Sequence, residues 1–359
     1  MVASPQFVFG QTYIQQAKSY PDLYLGRVVS QSKDLYQVVT ADVEFMAEIS
    51  GRFRFACQSK TDYPAVGDYV MLDRDSGEHG HAVIQHLLDR TSVFVRQSAG
   101  NTTEAQVVAA NMDKVLICMA LNRDYNVRRL ERYLAIAWDS GAIPCVVLTK
   151  GDLLQQFQDQ WQEIQRVAMG VDILVTSSLT EDGVDALASY LVPGQTVAFI
   201  GSSGVGKSTL INRLLGENTL LTQETRNDDK GRHTTSRRQL LVLPSGVMVI
   251  DTPGMRELGL DQANVGLAFA ELEELAQNCR FSDCQHQQEP GCALRQAVVS
   301  GLIAEERLLS YLKLKKEAKY DGMNAKQIEK EKTETMFADF GGMKNAKNFI
   351  KSRYKNKGE

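Results

Sequence analysis

The sequence predicts a multidomain α/β protein: a small β-barrel in front, a helix-covered and mostly parallel sheet in the middle, and a helical segment behind. Three observations carry this. Short strand-like runs crowd residues 23–96, apolar strands alternate with helical stretches from about Asn111, and apolar side chains fall at three- and four-residue spacing after Gly254. A length of 359 residues suits two or three domains at about 150 residues each. Hydrophobic residues at 43% and charged residues at 23% are ordinary globular usage, which argues against a fibrous or wholly disordered chain.

The front strands are expected at residues 26–30, 36–40, 48–55, 67–72 and 81–84, separated by turn signals at 64–67 and 75–77. This pattern suits a small barrel and leaves an OB-fold and an SH3-like barrel equally open. Basic Arg52, Arg54, Lys60, Arg90 and Arg96 run through it, interleaved with Phe53 and Phe55. Such a face suits phosphate contact and base stacking, although alternation could equally bury the phenylalanines and leave the arginines in water.

In the middle, strands are expected at 115–120, 143–148, 173–176, 197–200, 240–243 and 247–250. Helices are expected at 128–138, 156–169, 184–191 and 207–215. Behind them, Val265, Phe269, Leu272 and Leu275 share a helical face, and a second helix covers 305–320. No internal repeat is evident. The longest apolar run, 115–121, falls far short of the ~18 residues of a membrane span, and residues 1–10 lack a basic start with an apolar core. A soluble cytoplasmic protein is therefore expected, with no membrane association and as a monomer.

The net charge of −4 hides an asymmetry. Residues 313–359 hold 13 basic side chains (12 Lys, 1 Arg) against 7 acidic ones, leaving about −10 elsewhere. A tail of this kind suits a polyanionic partner, and equally a solvated, charge-rich helix. Phe337, Phe340, Met343, Phe349 and Tyr354 are spaced among its lysines, as in a helix that orders on RNA or in a disordered extension.

The sharpest chemical signal is Gly201-Ser202-Ser203-Gly204-Val205-Gly206-Lys207-Ser208, which matches GxxxxGK[ST] between an expected strand and an expected helix continuing through Thr209. Glycines let backbone N–H groups curl around phosphate oxygens, Lys207 supplies a cation, and Ser208 offers a hydroxyl to Mg²⁺. Asp251-Thr-Pro-Gly254 follows the 247–250 strand as a DxxG motif, with Asp251 holding Mg²⁺ through water and the Gly254 N–H sensing the γ-phosphate. Thr149-Lys150-Gly151-Asp152 stands where a GTPase has NKxD. There the Asp152 carboxylate accepts from guanine N1–H and N2–H₂, a donor pair that adenine lacks, and the Lys150 stem lies over the base. Thr149 in place of Asn is expected to lose a contact to the base or phosphate loop, weakening affinity while leaving specificity. Thr176-Ser177-Ser178 weakly matches a segment that contacts the base through its backbone.

Six cysteines divide into two groups. Cys57, Cys118 and Cys145 are scattered, the last two in apolar runs where free Cys behaves as a small hydrophobe. Cys279, Cys284, His286 and Cys292 crowd together as three thiolates and one imidazole, a complete tetrahedral set for one structural Zn²⁺. Four protein ligands leave no position open for activating water.

Along the chain, base recognition (149–152) and the base loop (176–178) precede the phosphate loop, a Thr-bearing segment (231–236) and DxxG (251–254). An ordinary GTPase begins with the phosphate loop, so this order is a circular permutation. With a barrel in front and a Cys/His cluster behind, residues 20–320 closely resemble the ribosome small-subunit-dependent GTPases of the RsgA (YjeQ/YloQ) family. The resemblance implies an N-terminal extension at 1–22, an OB-fold contacting ribosomal RNA at 23–100, a circularly permuted P-loop GTPase domain at 101–258, a helical zinc-binding domain at 259–320 and a basic tail at 321–359. It implies GTP hydrolysis stimulated by the small ribosomal subunit, a role in that subunit's late maturation, and GTP and GDP as ligands.

Gly231-Arg-His-Thr-Thr-Ser236 matches the family's GxHTT segment, in which Thr234 or Thr235 closes over Mg²⁺ and the γ-phosphate. Met255 stands where many GTPases place a water-orienting Gln, and a thioether cannot orient water. The resemblance points instead to His233 as the catalytic residue. Two other functions fit parts of the sequence: an RNA-binding scaffold using nucleotide only as a conformational latch, and an adenine-nucleotide phosphotransferase with the same phosphate loop.

Overall fold

The structure is a computed structural model. It describes residues 7, 9–41, 43–77, 80–97, 105–122, 125–156, 158–177, 179–180, 183–216, 239–251, 265–266, 268–320, 323, 327 and 330. A short helix, α1 (Gln11–Ala17), precedes five barrel strands: β1 (Tyr24–Ser32), β2 (Leu35–Val39), β3 (Glu44–Ile49), β4 (Tyr69–Leu72) and β5 (Ala82–Leu87). Their order is β1-β2-β3-β5-β4, and β4 pairs back with β1, so the sheet closes on itself. All pairings are antiparallel except β3 with β5. Alternation fills the interior: Tyr36 and Val38 of β2 point inward beside Val28, Ala47, Val70, Leu72 and Ile84.

Residues 48–55 do not form one strand, contrary to the expectation from sequence. The strand stops at Ile49, and the Ser50 hydroxyl accepts a hydrogen bond from the Phe53 N–H at 3.0 Å, capping α2 (Gly51–Ala56). Helical spacing separates the two phenylalanines: Phe53 packs on the barrel core, whereas Phe55 is 94% exposed. Arg90 is not a free surface cation either. It donates to both oxygens of buried Asp68 (2.8 and 2.7 Å) and to the Thr61 and Tyr63 carbonyls (2.6 and 2.8 Å), pinning the approach to β4.

Next come the antiparallel pair β6 (Val93–Gln97) and β7 (Ala105–Ala110). The second sheet follows: β8 (Lys114–Ala120), β9 (Ile143–Thr149), β10 (Asp172–Val175), β11 (Thr196–Gly201), β12 (Gln239–Val242) and β13 (Met248–Asp251). It is ordered β10-β9-β8-β11-β13-β12 and is parallel except for β12. Its helices are α3 (Val127–Asp139), α4 (Gln158–Val167), α5 (Asp185–Tyr190) and α6 (Lys207–Leu215). Both faces are covered, so the strands read as near-continuous apolar runs.

One bridge, Ser30 to Gln239, joins the barrel to this sheet, and Arg27 reinforces the junction. Arg27 is 1% exposed. Its guanidinium donates to the Thr196 hydroxyl (2.8 Å), the Gly67 carbonyl (3.2 Å) and the Met248 sulfur (2.9 Å), and lies 4.6 Å from the Tyr69 ring centre. One side chain of β1 thereby grips two strands of the second sheet.

The C-terminal helices α7 (Ala270–Ala276), α8 (Ala293–Val299) and α9 (Glu305–Tyr320) pack against α3, placing Phe269, Leu272, Leu294, Leu308 and Tyr311 in one core with Leu130 and Leu134. A charged network crosses this apolar seam. Buried Glu131 of α3 accepts from Arg128 (2.6 Å) and from Arg307 of α9 (2.8 Å), and Arg307 also donates to Glu271 (2.7 Å). At the seam's exposed edge, Arg132 makes two bonds to Glu317. Removing one partner of a buried pair strands the other charge. Arg307→Met is therefore expected to lower stability by about 3 kcal/mol in urea unfolding of the full chain. A loss below about 1 kcal/mol would make the network dispensable.

Candidate functional site

Parallel pairing brings the carboxyl ends of the central strands to one edge, where ligands of open α/β sheets bind. Gly201 of β11 pairs with Cys118 of β8, Ala120 of β8 with Thr149 of β9, and Ala198 with Ile250 of β13. The phosphate loop therefore leaves β11 with the end of β13 at Asp251 on one side and, across β8, the end of β9 at Thr149 on the other. Two glycines shape the loop. Gly206 caps α6 at φ 103°, and a Cβ at Gly201 would lie 2.4 Å from the Cys118 carbonyl oxygen. The Lys207 ammonium folds back to the Gly201 and Ser202 carbonyls, 2.7 Å from each. Ser208 and Thr209 follow in the first turn of α6. Cys118 beneath the loop is a buried thiol, pushed up to about 12 by burial, and so stays protonated.

The base-recognition segments meet the same loop. Buried Thr149 donates its hydroxyl to the Val205 carbonyl at 2.7 Å, so Thr in place of Asn keeps a direct bond to the phosphate loop. Lys150 turns the chain at φ 58°, and Asp152 opens a 3₁₀ segment, Gly151–Gln156. One Asp152 carboxylate oxygen accepts from the Ser177 hydroxyl at 2.9 Å. Thr176, wholly buried, bonds the Leu148 carbonyl through both its N–H (2.7 Å) and its hydroxyl (3.2 Å). Thus 149–152 and 176–177 form one unit, and the carboxylate has its rotation restrained by a neighbour. Ser178, Gly231, His233, Thr234, Thr235, Gly254 and Met255 lie outside the described residues.

Two arginines that motif reading passed over also belong here. Arg213, in the last turn of α6, donates to the Ser177 and Thr180 carbonyls (3.3 and 2.9 Å), tying the phosphate-loop helix to the base loop. Arg129, in the first turn of α3, donates to the Ser202 hydroxyl. Neither lies in a motif; the only signal was a cation on a helix flanking the loop.

The second centre is Cys279, Cys284, His286 and Cys292, whose ligand atoms all lie within 4.8 Å of one another. His286 Nδ1 is 3.5 Å from Cys279 Sγ and 3.6 Å from Cys292 Sγ. His286 reaches this position at φ 58°, while its carbonyl accepts from Arg295. Burial first, then the adjacent Cys292 and Cys279 thiols, pushes the Cys284 thiol up to about 11, and burial lowers His286. Three thiols and one imidazole whose ligand atoms converge this closely make a donor set and spacing compatible with tetrahedral Zn²⁺. Among the described residues no other such His/Cys/carboxylate group occurs. No helix among them is long and apolar enough to cross a membrane.

Comparison with known proteins agrees with this geometry. The RsgA GTPase family model matches residues 87–261, and an ABC transporter model matches 184–352, a range that includes the phosphate loop. A protein of Lactiplantibacillus plantarum described as small ribosomal subunit biogenesis GTPase RsgA 2 is 49% identical over 331 residues, 92% of either chain. One from Methanosarcina acetivorans, described as small ribosomal subunit biogenesis GTPase RsgA, is 44% identical over 89% of this chain and 87% of its own. The crystal structure of YjeQ from Thermotoga maritima is similar with a TM-score of 0.62 and 27% identity, covering 82% of this chain and 98% of that one. That of YloQ, a circularly permuted GTPase, shares the fold with a TM-score of 0.58 and 23% identity, covering 83% and 95%.

The cysteine cluster yields an expected outcome for metal content. Elemental analysis of the purified chain should find one Zn²⁺ per molecule. Cys284→Ser and Cys292→Ser should lose it, with a lower thermal midpoint for the C-terminal helices. Unchanged zinc content in both variants would disqualify the cluster as its site.

Proposed function

The chain belongs to the RsgA GTPase family and is a GTP hydrolase of small ribosomal subunit biogenesis; from that premise we propose which residues read, hold and hydrolyse the nucleotide. Asp152, its second oxygen free to face the base, reads guanine, with the Lys150 stem against the ring. The N–H groups of residues 201–206 and the Lys207 ammonium carry the triphosphate charge. Ser208, Thr235 and, through water, Asp251 would hold Mg²⁺, which when bound neutralises β- and γ-phosphate oxygens. The observation that supports this reading most is the pair of bonds Thr149 to Val205 and Ser177 to Asp152, because they unite the base-reading and phosphate-holding segments into one pocket.

His233 orients the attacking water and takes part of its proton load as the water oxygen bonds to the γ-phosphorus and the bond to the β–γ bridging oxygen breaks, releasing GDP and phosphate, since Met255 has no group for the task. The isolated chain is accordingly a slow hydrolase, and contact with the small subunit completes the site. The barrel supplies a face for ribosomal RNA on α2, where Phe55 is almost wholly exposed beside exposed Arg52 and Arg54. The structural metal of the C-terminal domain is Zn²⁺ held by Cys279, Cys284, His286 and Cys292. The protein works as a cytoplasmic monomer, cycling between GTP and GDP, with residues 23–100, 101–258 and 259–320 as its working domains and 321–359 as a basic tail.

Three outcomes are expected. Asp152→Asn should weaken GTP binding by roughly 10²- to 10⁴-fold in competition assays, because guanine donors then face an amide. GTP affinity within a factor of two of the parent would remove Asp152 from base reading. His233→Ala should lose about 10²-fold or more of the subunit-stimulated rate while GTP and subunit binding persist. Stimulation itself should fade as salt rises. A variant with full stimulated turnover would show that the catalytic group lies elsewhere.

A further inference from the structure

Arg129, in the first turn of α3, turns toward the phosphate loop. Its Nη1 donates to the hydroxyl of Ser202, the second residue of the loop, at 2.5 Å. Both residues are half-buried and line a narrow cleft between the loop, the end of β8 and the first turns of α3, together with Ile117, Met119, Asn126 and Tyr133.

The helix that carries Arg129 is held on several sides. The Asn126 side chain caps it by accepting from the Arg129 N–H at 2.9 Å. Arg128 reaches Glu163 of α4 at 3.5 Å. Glu131 and Arg132 bind Arg307 and Glu317 of α9. An arginine on a helix so tethered has its backbone position settled before it meets its partner, which is how a supporting shell holds a loop in a productive shape. A planar guanidinium loses less rotational freedom on making this bond than a lysine ammonium would. Because Ser202 accepts through its side chain, the bond costs the loop none of the N–H groups that phosphate needs.

We propose that Arg129 is a positioning residue for the GTPase reaction: it holds the phosphate loop in its nucleotide-binding curl through the Ser202 hydroxyl, from a helix clamped by the C-terminal domain. The inference rests on Gly201–Ser208 being the triphosphate site. Arg129 acts through the loop, so its loss weakens the grip on GTP and GDP alike. The chemical step at saturating nucleotide is left nearly as it was.

The test is a double-mutant cycle on the full chain, read by fluorescent GDP binding and by KM and kcat for GTP. Arg129→Met and Ser202→Ala should each raise the GDP Kd and the GTP KM about fivefold, with kcat within about twofold. The double variant should be no weaker than either single one, and Arg129→Lys, which keeps a cationic donor, should recover part of the loss. Single variants with parental affinity would overturn the proposal, as would losses that multiply to about 25-fold in the double variant, since independent sites add in free energy. Lys207→Ala serves as the separate control. It should abolish nucleotide binding, and if it binds GTP normally the phosphate-loop reading has failed before Arg129 is in question.

Discussion

A loop that grips a triphosphate through its backbone N–H groups has to be held in shape by bonds that leave those groups alone, and the rest of the structure is arranged around this constraint. The named grips all land on acceptors. Thr149 takes the Val205 carbonyl, Lys207 the Gly201 and Ser202 carbonyls, and Arg129 the Ser202 hydroxyl. Each comes from a different element: the end of β9, the loop's own helix, and α3. The curl is thereby supported from outside while its donors remain available to an anion.

The permuted chain order makes this economical. Once the phosphate-loop half follows the base-reading half, the last central strand, β13, precedes the C-terminal domain directly, and the barrel enters beside β12. Two charged side chains secure the attachments. Arg27 ties the barrel to β11 and β13 with no carboxylate in direct contact among the described residues, and Arg307 bridges α3 and α7 through Glu131 and Glu271. Both are arginines in sites where several acceptors converge, geometry that a lysine point charge would not satisfy. The barrel thus attaches to the sheet that carries the pocket through β11 and β13, and the C-terminal helices attach to its covering helix α3.

Much of this was legible in the sequence where the signal is local. The six strands of the second sheet follow the apolar runs to within a residue or so, and α9 spans the expected 305–320, because burial on two faces leaves a continuous imprint. The cysteine cluster was legible because ligand chemistry restricts residue types over a short span. What the sequence did not disclose depends on partners far away in the chain. Residues 48–55 alternate like a strand, yet the Ser50 hydroxyl caps a helix there. Arg90 was open between a phosphate contact and a solvated cation, and the structure gives it to buried Asp68 and two carbonyls instead. Thr149 seemed a weakened Asn, but its hydroxyl meets a carbonyl 56 residues on. Arg129 and Ser202 stand 73 residues apart, beyond any periodicity.

The proposed pocket reads guanine with a carboxylate and holds the phosphates with a loop. Isothermal titration of the full chain with non-hydrolysable GTP and ATP analogues in the presence of Mg²⁺ tests it most directly. A single site is expected for the guanine nucleotide, with the adenine nucleotide bound at least about 10²-fold more weakly. Equal uptake of both, or heat from neither, would contradict it.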